Sequence, residues 1–485
     1  MCKITSLFII YCGISIPMFA QTLNERYELF QQKTERKYKK FRDTINLEYV
    51  NFVRQVWQQY ETLPAIPHPK DEFAIYPFVY LEKEVIMKDR IILYDEVLPV
   101  KQTEPQPVPV IPIREQSQLQ EQYFEFVFLG TRLKVRLEEK QRFHLDGCSE
   151  NDIANGWQLL ANSEFDNLIR DCLDLRIRYR LCDWAYLCML KQLSEDFLGK
   201  ETNESSLLLA YLYCQSGYQM RIGQANGRIY MLYASRHSIY DMIYFKIDGV
   251  NYYPLECKEE RMHISQAAYP NEQLLSLQIK ESPRLVWNGA PKRHLQANKY
   301  QEMKAEVSVN KNIIDFFNMY PASELESNFM TRWSSYANTP ISDNVKKQFY
   351  PLLKERIITM SQRYAVEQLL NWVQTAFIYE YDDKIWGKDR TFFPEETLYY
   401  PYSDCEDRAI LFTRLVRDIL GLECLLVYYP GHLASAVCFN EETNGDHIIL
   451  NGKKYTICDP TYINAPVGIT MPGMDNKIAK VILLQ

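Results

Sequence analysis

No Cys-x-x-Cys pair occurs in this chain, so the common zinc and dithiol-redox spacings are absent although twelve cysteines are present. Glycine is scarce, at 17 residues against 35 tyrosines, and no glycine-rich nucleotide motif is found. No metal or cofactor is therefore assigned. Positive charge is also short: 55 Lys and Arg stand against 62 Asp and Glu, a net charge of −7. With no basic stripe in the sequence, nucleic acid is not an expected partner. Beyond the N-terminus no apolar run is long enough to cross a bilayer, and the mature chain is expected to have no transmembrane segment.

What is present points to a large folded protein. The 485 residues suffice for two to four domains, and 47% apolar composition excludes a disordered chain. Residues 1–20 read as an export signal. Lys3 supplies the positive charge, Leu7 to Ile16 the apolar core, and Phe19-Ala20-Gln21 a cleavage point after Ala20. A periplasmic or secreted location follows. Cleavage removes Cys2 and Cys12 and leaves ten of the twelve cysteines, most of them inside apolar patterns and read as buried free thiols. Residues 21–145 read as an N-terminal helix and β-rich domain. Its helix carries an apolar stripe of Phe30, Tyr38, Phe41, Ile45, Tyr49, Phe52, Val53 and Val56, expected to pack on the next domain. Val85-Ile86-Met87 and Tyr123 to Phe128 read as strands, and the proline-rich stretch between them as extended chain.

The most informative residue is Cys405. Ala409, Phe412, Val416, Ile419 and Leu420 follow it at the three- and four-residue steps of one helix face. Asp404 is the candidate N-cap, which puts the thiol at a helix N-terminus, where the macrodipole favours the thiolate. Glu406 and Asp407 act the other way, and Arg408 offsets part of their charge. Gly421 can cap the helix. Leu425 to Tyr429 then reads as a buried strand, Pro430-Gly431 as a turn into His432, and Ala434 to Phe439 as the next strand. Asn451-Gly452 is a type I′ hairpin signal, and Asp459-Pro460 ends the hairpin's second strand. Cysteine, histidine and aspartate on three neighbouring elements are the parts of an activated thiol nucleophile. The thiolate attacks, the imidazole carries the proton, and the carboxylate fixes the imidazole's tautomer.

Taken together, Asp404-Cys405-Glu406-Asp407-Arg408-Ala409, Gly431-His432 and Asp459-Pro460-Thr461 resemble the core of the transglutaminase-like superfamily. The likeness runs from about Val366 to Thr461. It implies an α+β fold with a papain-like core, with Cys405 as nucleophile, His432 as base and Asp459 as orienter. It further implies a cysteine hydrolase or peptidase that cleaves amide bonds through a thioester, acting on a protein or peptide, cell-wall peptides included. Two positions depart from the pattern. Ser403 stands where many members have glycine, and Leu433-Ala434-Ser435 where many have a tryptophan. The alternatives are a transglutaminase or amine ligase with the same triad, and a catalytically silent surface binding protein. The Cys405 N–H is the expected oxyanion donor, with Tyr400 or Trp386 as candidates for a second. Asp404, Glu406 and Asp407 read as cap and first-turn acids in preference to a Ca²⁺ site.

The middle of the chain repeats this order of signals. A helix from Ser205 to about Gly217 leads into a strand at Met220, and later come His237, Asp248-Gly249 and Glu256. Matching Gly217 to Gly421, His237 to His432 and Glu256 to Asp459 makes residues 146–300 a degenerate transglutaminase-like module, followed by the catalytic module at 301–485. Counting back from Gly217 puts the nucleophile's place at Glu201, near Asn203 and Ser205.

Overall fold

The computed structural model describes residues 29, 32–34, 36–54, 63–67, 79–81, 87–98, 106–109, 122–325, 328–474 and 477–485. The export signal, Phe30, Val56 and the expected strand at Val85-Ile86 lie outside them. The fold is mixed α+β, with two curled sheets. Among the described residues no helix is long and apolar enough to cross a membrane.

Each sheet is built around one helix. In the middle of the chain that helix is Asn203–Gln215, where every residue from Leu207 to Gln215 is buried. A helix apolar on all sides can only be central. The Thr202 hydroxyl caps it by accepting the Ser205 N–H at 3.0 Å. In the C-terminal region the helix is Cys405–Leu415, and its residues Cys405 to Thr413 are all buried. It runs on into a π turn at Val416–Leu420 and stops at Gly421, whose φ of 69° is left-handed.

The two sheets share one strand order. After the middle helix come strands Met220–Ala225, Arg228–Ser235, Ile243–Ile247, Val250–Pro254 and Arg261–Ile264. After the C-terminal helix come Cys424–Tyr429, His432–Cys438, His447–Leu450, Lys453–Cys458 and Ala479–Leu483. In both sheets the spatial order is fifth, first, second, fourth, third, with every pair antiparallel. Each hairpin turns in two residues. Asn451 and Gly452 have φ of 50° and 77°, and Asp248 and Gly249 have 49° and 81°, the double positive φ that a type I′ turn requires.

Both sheets curl until one short segment reaches both edges. Leu63–Pro64 pairs with the fifth strand of the middle sheet and Ile66–Pro67 with its third. Five residues span at most about 17 Å, so the two edges lie within that distance. In the C-terminal sheet, Tyr94–Leu98 pairs parallel with Ala479–Leu483, while Ile91 bridges to His447 in the third strand. Residues 21–145 thus contribute two short strands to the middle sheet and one to the C-terminal sheet, and Phe124–Phe128 with Thr131–Val135 makes a separate hairpin.

The helix through residues 36–54 packs on the middle region. Ile45, Tyr49, Val50 and Val53 are buried, the Tyr49 ring lies 4.7 Å from that of Trp157, and Arg42 bonds Asp166 at 2.9 Å. Its apolar stripe is only partly covered by the described residues: Tyr38, Phe41 and Phe52 are exposed.

Candidate active site

Cys405 is the first residue of its helix, with Asp404 at the N-cap. The Asp407 carboxylate reaches back to the Asp404 N–H at 3.2 Å and accepts the Phe392 N–H at 2.8 Å. Arg408, one residue on, is fully buried. Its guanidinium donates to the Gln374 carbonyl at 3.0 Å, the Phe377 carbonyl at 2.9 Å and the Ser403 hydroxyl at 3.2 Å. The arginine thus ties the helix to the end of the preceding helix Gln362–Thr375.

His432 opens its strand, directly after Gly431. Its Nε2 lies 2.8 Å from Asp459 Oδ2. Asp459 in turn accepts the N–H groups of Thr461 (2.9 Å) and Tyr462 (3.1 Å) on its other oxygen. Gln374 donates to the carbonyls of Asp459, Tyr462 and Ala465 and clamps that loop. With Nε2–H directed at the carboxylate, Nδ1 is the basic nitrogen, and it has no hydrogen-bond partner among the described residues. The Leu433 N–H, next along the strand, faces the Cys405 thiol. Aspartate thus orients the histidine and leaves its second nitrogen uncommitted; the thiol makes no hydrogen bond to that nitrogen and meets this strand at the Leu433 N–H.

The thiol itself is held neutral. Cys405 and His432 have no exposed surface, and burial, Glu406 and Asp404 push the thiol well above the usual cysteine range. Its Sγ donates to Glu406 Oε2 at 3.3 Å. Desolvation and two carboxylates thus outweigh the helix dipole.

Those carboxylates belong to a larger buried group. Asp382, Asp389 and Glu406 each present an oxygen within 4.8 Å of the other two, a spacing a hard cation accepts. Asp389 pairs with Arg332, and Asp382 accepts the Arg390 N–H at 2.6 Å. Burial and mutual repulsion raise all the acids in this group that shift: Asp382 to about 8 and Glu406 to about 7, with Asp404 and Asp407 well above the normal range. Among the described residues Asp404 Oδ1 and Glu406 Oε1 meet no donor, and the two carboxyls face one another, a contact that requires a shared proton.

Neither expected oxyanion side chain is placed against the thiol. The Tyr400 hydroxyl donates to Asn318 at 2.9 Å, and the Trp386 ring stacks edge-on to Tyr400 beneath Arg390. Tyr379 is the tyrosine beside the site: after burial, its largest electrostatic neighbours are Cys405, Asp404 and Glu406. It sits in Phe377-Ile378-Tyr379, inside the stretch that carries the likeness, where no sequence signal singles out the tyrosine. A cavity of about 690 Å³ lies elsewhere, between Arg136, Arg176 and Lys280.

In the middle region Ser205 and Glu256 line one small cavity, and His237 does not line it. The Ser205 hydroxyl donates to the Thr202 carbonyl at 2.9 Å, an N-cap contact, and Glu256 pairs with Lys191 at 3.0 Å. His237 lies beyond the end of its strand, its ring 3.4 Å from both Ser323 Oγ and the Leu277 nitrogen.

No family model matches the chain, and no curated protein or solved structure is significantly similar to it.

Proposed function

We propose that this is an exported cysteine hydrolase of transglutaminase-like type, with a papain-like C-terminal core, that cleaves amide bonds in a protein or peptide. One observation carries the reading: His432 is bonded through Nε2 to Asp459 and leaves Nδ1 uncommitted, and the next residue, Leu433, turns its N–H to a thiol at a helix N-terminus. In the reaction Nδ1 takes the Cys405 proton and Sγ attacks the substrate carbonyl. The tetrahedral intermediate places its oxyanion on the Cys405 N–H, which has no partner within the helix. Collapse expels the amine, protonated by His432, and leaves a thioester. Water, deprotonated by His432, then releases the acid and restores the thiol. An amine in place of water gives transfer by the same steps. The matching strand orders of the two sheets support the duplication reading, with the middle region as the degenerate copy.

Peptide mapping after iodoacetamide treatment between pH 5 and 8 tests the proposal. Labelling concentrated on Cys405 and lost in His432→Ala supports a working pair. Equal labelling of the two proteins refutes it. Complete burial of both residues and the raised thiol favour a second reading, a silent binding protein. Under that reading, Cys405→Ala leaves every phenotype of the protein unchanged.

A further inference from the structure

The strand registers allow the two regions to be compared position by position. In the C-terminal sheet Tyr429 pairs with His432 across Pro430-Gly431; in the middle sheet Ala225 pairs with Arg228 across Asn226-Gly227. The residue after the turn glycine is therefore His432 in one and Arg228 in the other. The second hairpins agree. Leu450 pairs with Lys453 across Asn451-Gly452, and Ile247 with Val250 across Asp248-Gly249. Counting along the fourth strand from Lys453 and from Val250 brings Asp459 onto Glu256. Cross-strand pairing agrees again: Ser435 faces Cys458, and the register that pairs Leu232 with Pro254 brings Met231 opposite Leu255.

The helices supply the third position. One starts at Cys405 after its N-cap Asp404, the other at Asn203 after its N-cap Thr202. Counting back from the glycines misses this by two residues, because the stretch from helix start to glycine is two residues longer in the C-terminal region, where it includes a π turn. The side chains bear out the match. Asn203 Oδ1 accepts the Ile229 N–H at 2.9 Å, and Cys405 faces the N–H of Leu433, the residue that follows His432 as Ile229 follows Arg228.

We infer that Asn203, Arg228 and Glu256 occupy a second, silent active-site position, equivalent to Cys405, His432 and Asp459. His237 has no part in it. An amide is no nucleophile, and a guanidinium cannot act as a base at neutral pH. A cavity of about 60 Å³ remains there, lined by Glu201, Arg228, Glu256 and Lys191 among others. Two ion pairs line it, Lys191 with Glu256 at 3.0 Å and Arg228 with Glu201 at 3.5 Å. Its charged groups are open to water, Arg228 at 42% and Glu256 at 65%, where His432 and Asp459 are at 0% and 1%. One chain therefore carries one reaction centre and one ionic cleft of the same ancestry.

The test restores the lost pair. In a Cys405→Ala background, Asn203→Cys is made with Arg228→Gln and with Arg228→His, and iodoacetamide labelling of the introduced thiol is mapped from pH 5 to 8. An imidazolium against the thiol holds part of it as thiolate in acid and a neutral amide does not, so the histidine variant should label at least about tenfold faster at pH 5 than the glutamine one. Equal rates overturn the assignment. Should either variant fail to fold by circular dichroism, an experimental structure of the natural chain decides. Superposition of the two sheets must bring Asn203, Arg228 and Glu256 onto Cys405, His432 and Asp459, and a shift of one residue or more overturns it. The positions rest on register and the roles rest on the proposed hydrolase. Failure of His432-dependent labelling at Cys405 removes the roles and leaves the superposition standing.

Discussion

At Cys405 three effects compete, and their ranking sets the reactivity. The helix N-terminus favours the thiolate by roughly a kcal/mol. Burial and the carboxylates of Glu406 and Asp404 oppose it and win. Glu406 is the nearest of these, 3.3 Å from Sγ. Glu406→Gln keeps the shape and removes the charge. We predict that the midpoint of Cys405 alkylation then moves down by at least about one pH unit, since a pH unit corresponds to ~1.4 kcal/mol and a close charge exerts more than that. An unchanged midpoint means Glu406 is already protonated in the free protein. The same acids govern stability. Asp382 and Glu406 are raised to about 8 and about 7, so between their unfolded values near 4 and these folded values the native state holds more protons than the unfolded one. Stability is then full below pH 4 on their account and is lost as pH rises through 7 to 8. We predict a melting temperature that falls between pH 5 and pH 8, and a flatter profile for Asp382→Asn. A profile rising over that range contradicts the shifts.

Elements, more than residues, hold the site together. Gln374, at the end of its helix, bonds three carbonyls, that of Asp459 among them, and is almost fully buried. Gln374→Ala should cost about 2 kcal/mol or more by stranding those carbonyls. By loosening Asp459 it should also lower the rate of His432-dependent labelling at Cys405. A melting-temperature loss with no change in that rate would assign Gln374 to the scaffold alone. Gly217→Ala makes a second case: φ is +92°, and a Cβ would fall 2.4 Å from the Val108 carbonyl oxygen. The variant should be destabilised by more than about 1 kcal/mol, read as a lower unfolding midpoint. Much at this scale was legible in the sequence. Asp404 at a helix start, the glycine stop at Gly421, and Asn451-Gly452 in its turn all follow from local chemistry. What was not legible is non-local. Nothing near Arg228 marks it as His432's counterpart, whereas a histidine nine residues on attracted the match; only cross-strand register separates the two. Tyr379 likewise reaches the thiol through packing that its three-residue neighbourhood does not encode.

For the whole molecule the decisive feature is that neither sheet is complete within its own stretch of chain. Residues 63–67 bridge both edges of the middle sheet, and residues 91–98 those of the C-terminal one. The two bridging segments run in opposite senses: the first is antiparallel to the strand it joins at the fifth position, the second parallel. If the five-stranded unit was copied, its closing strand was recruited separately each time. A fragment of residues 301–485 alone therefore lacks Tyr94–Leu98. It leaves Ala479–Leu483, whose Val481 and Ile482 are buried, as an open apolar edge. Such an edge pairs with whatever chain it meets. We predict that this fragment aggregates, and that fusing residues 87–98 to it through a flexible linker yields a monomer by size-exclusion chromatography. In the fused form the residue 92 amide should be protected from hydrogen exchange, since Ile92 bonds the His447 carbonyl at 2.7 Å. A soluble, cooperatively unfolding 301–485 fragment would mean that the closing strand is dispensable. The N-terminal region would then be a cover laid over a finished catalytic unit, and the site at Cys405 should function without it.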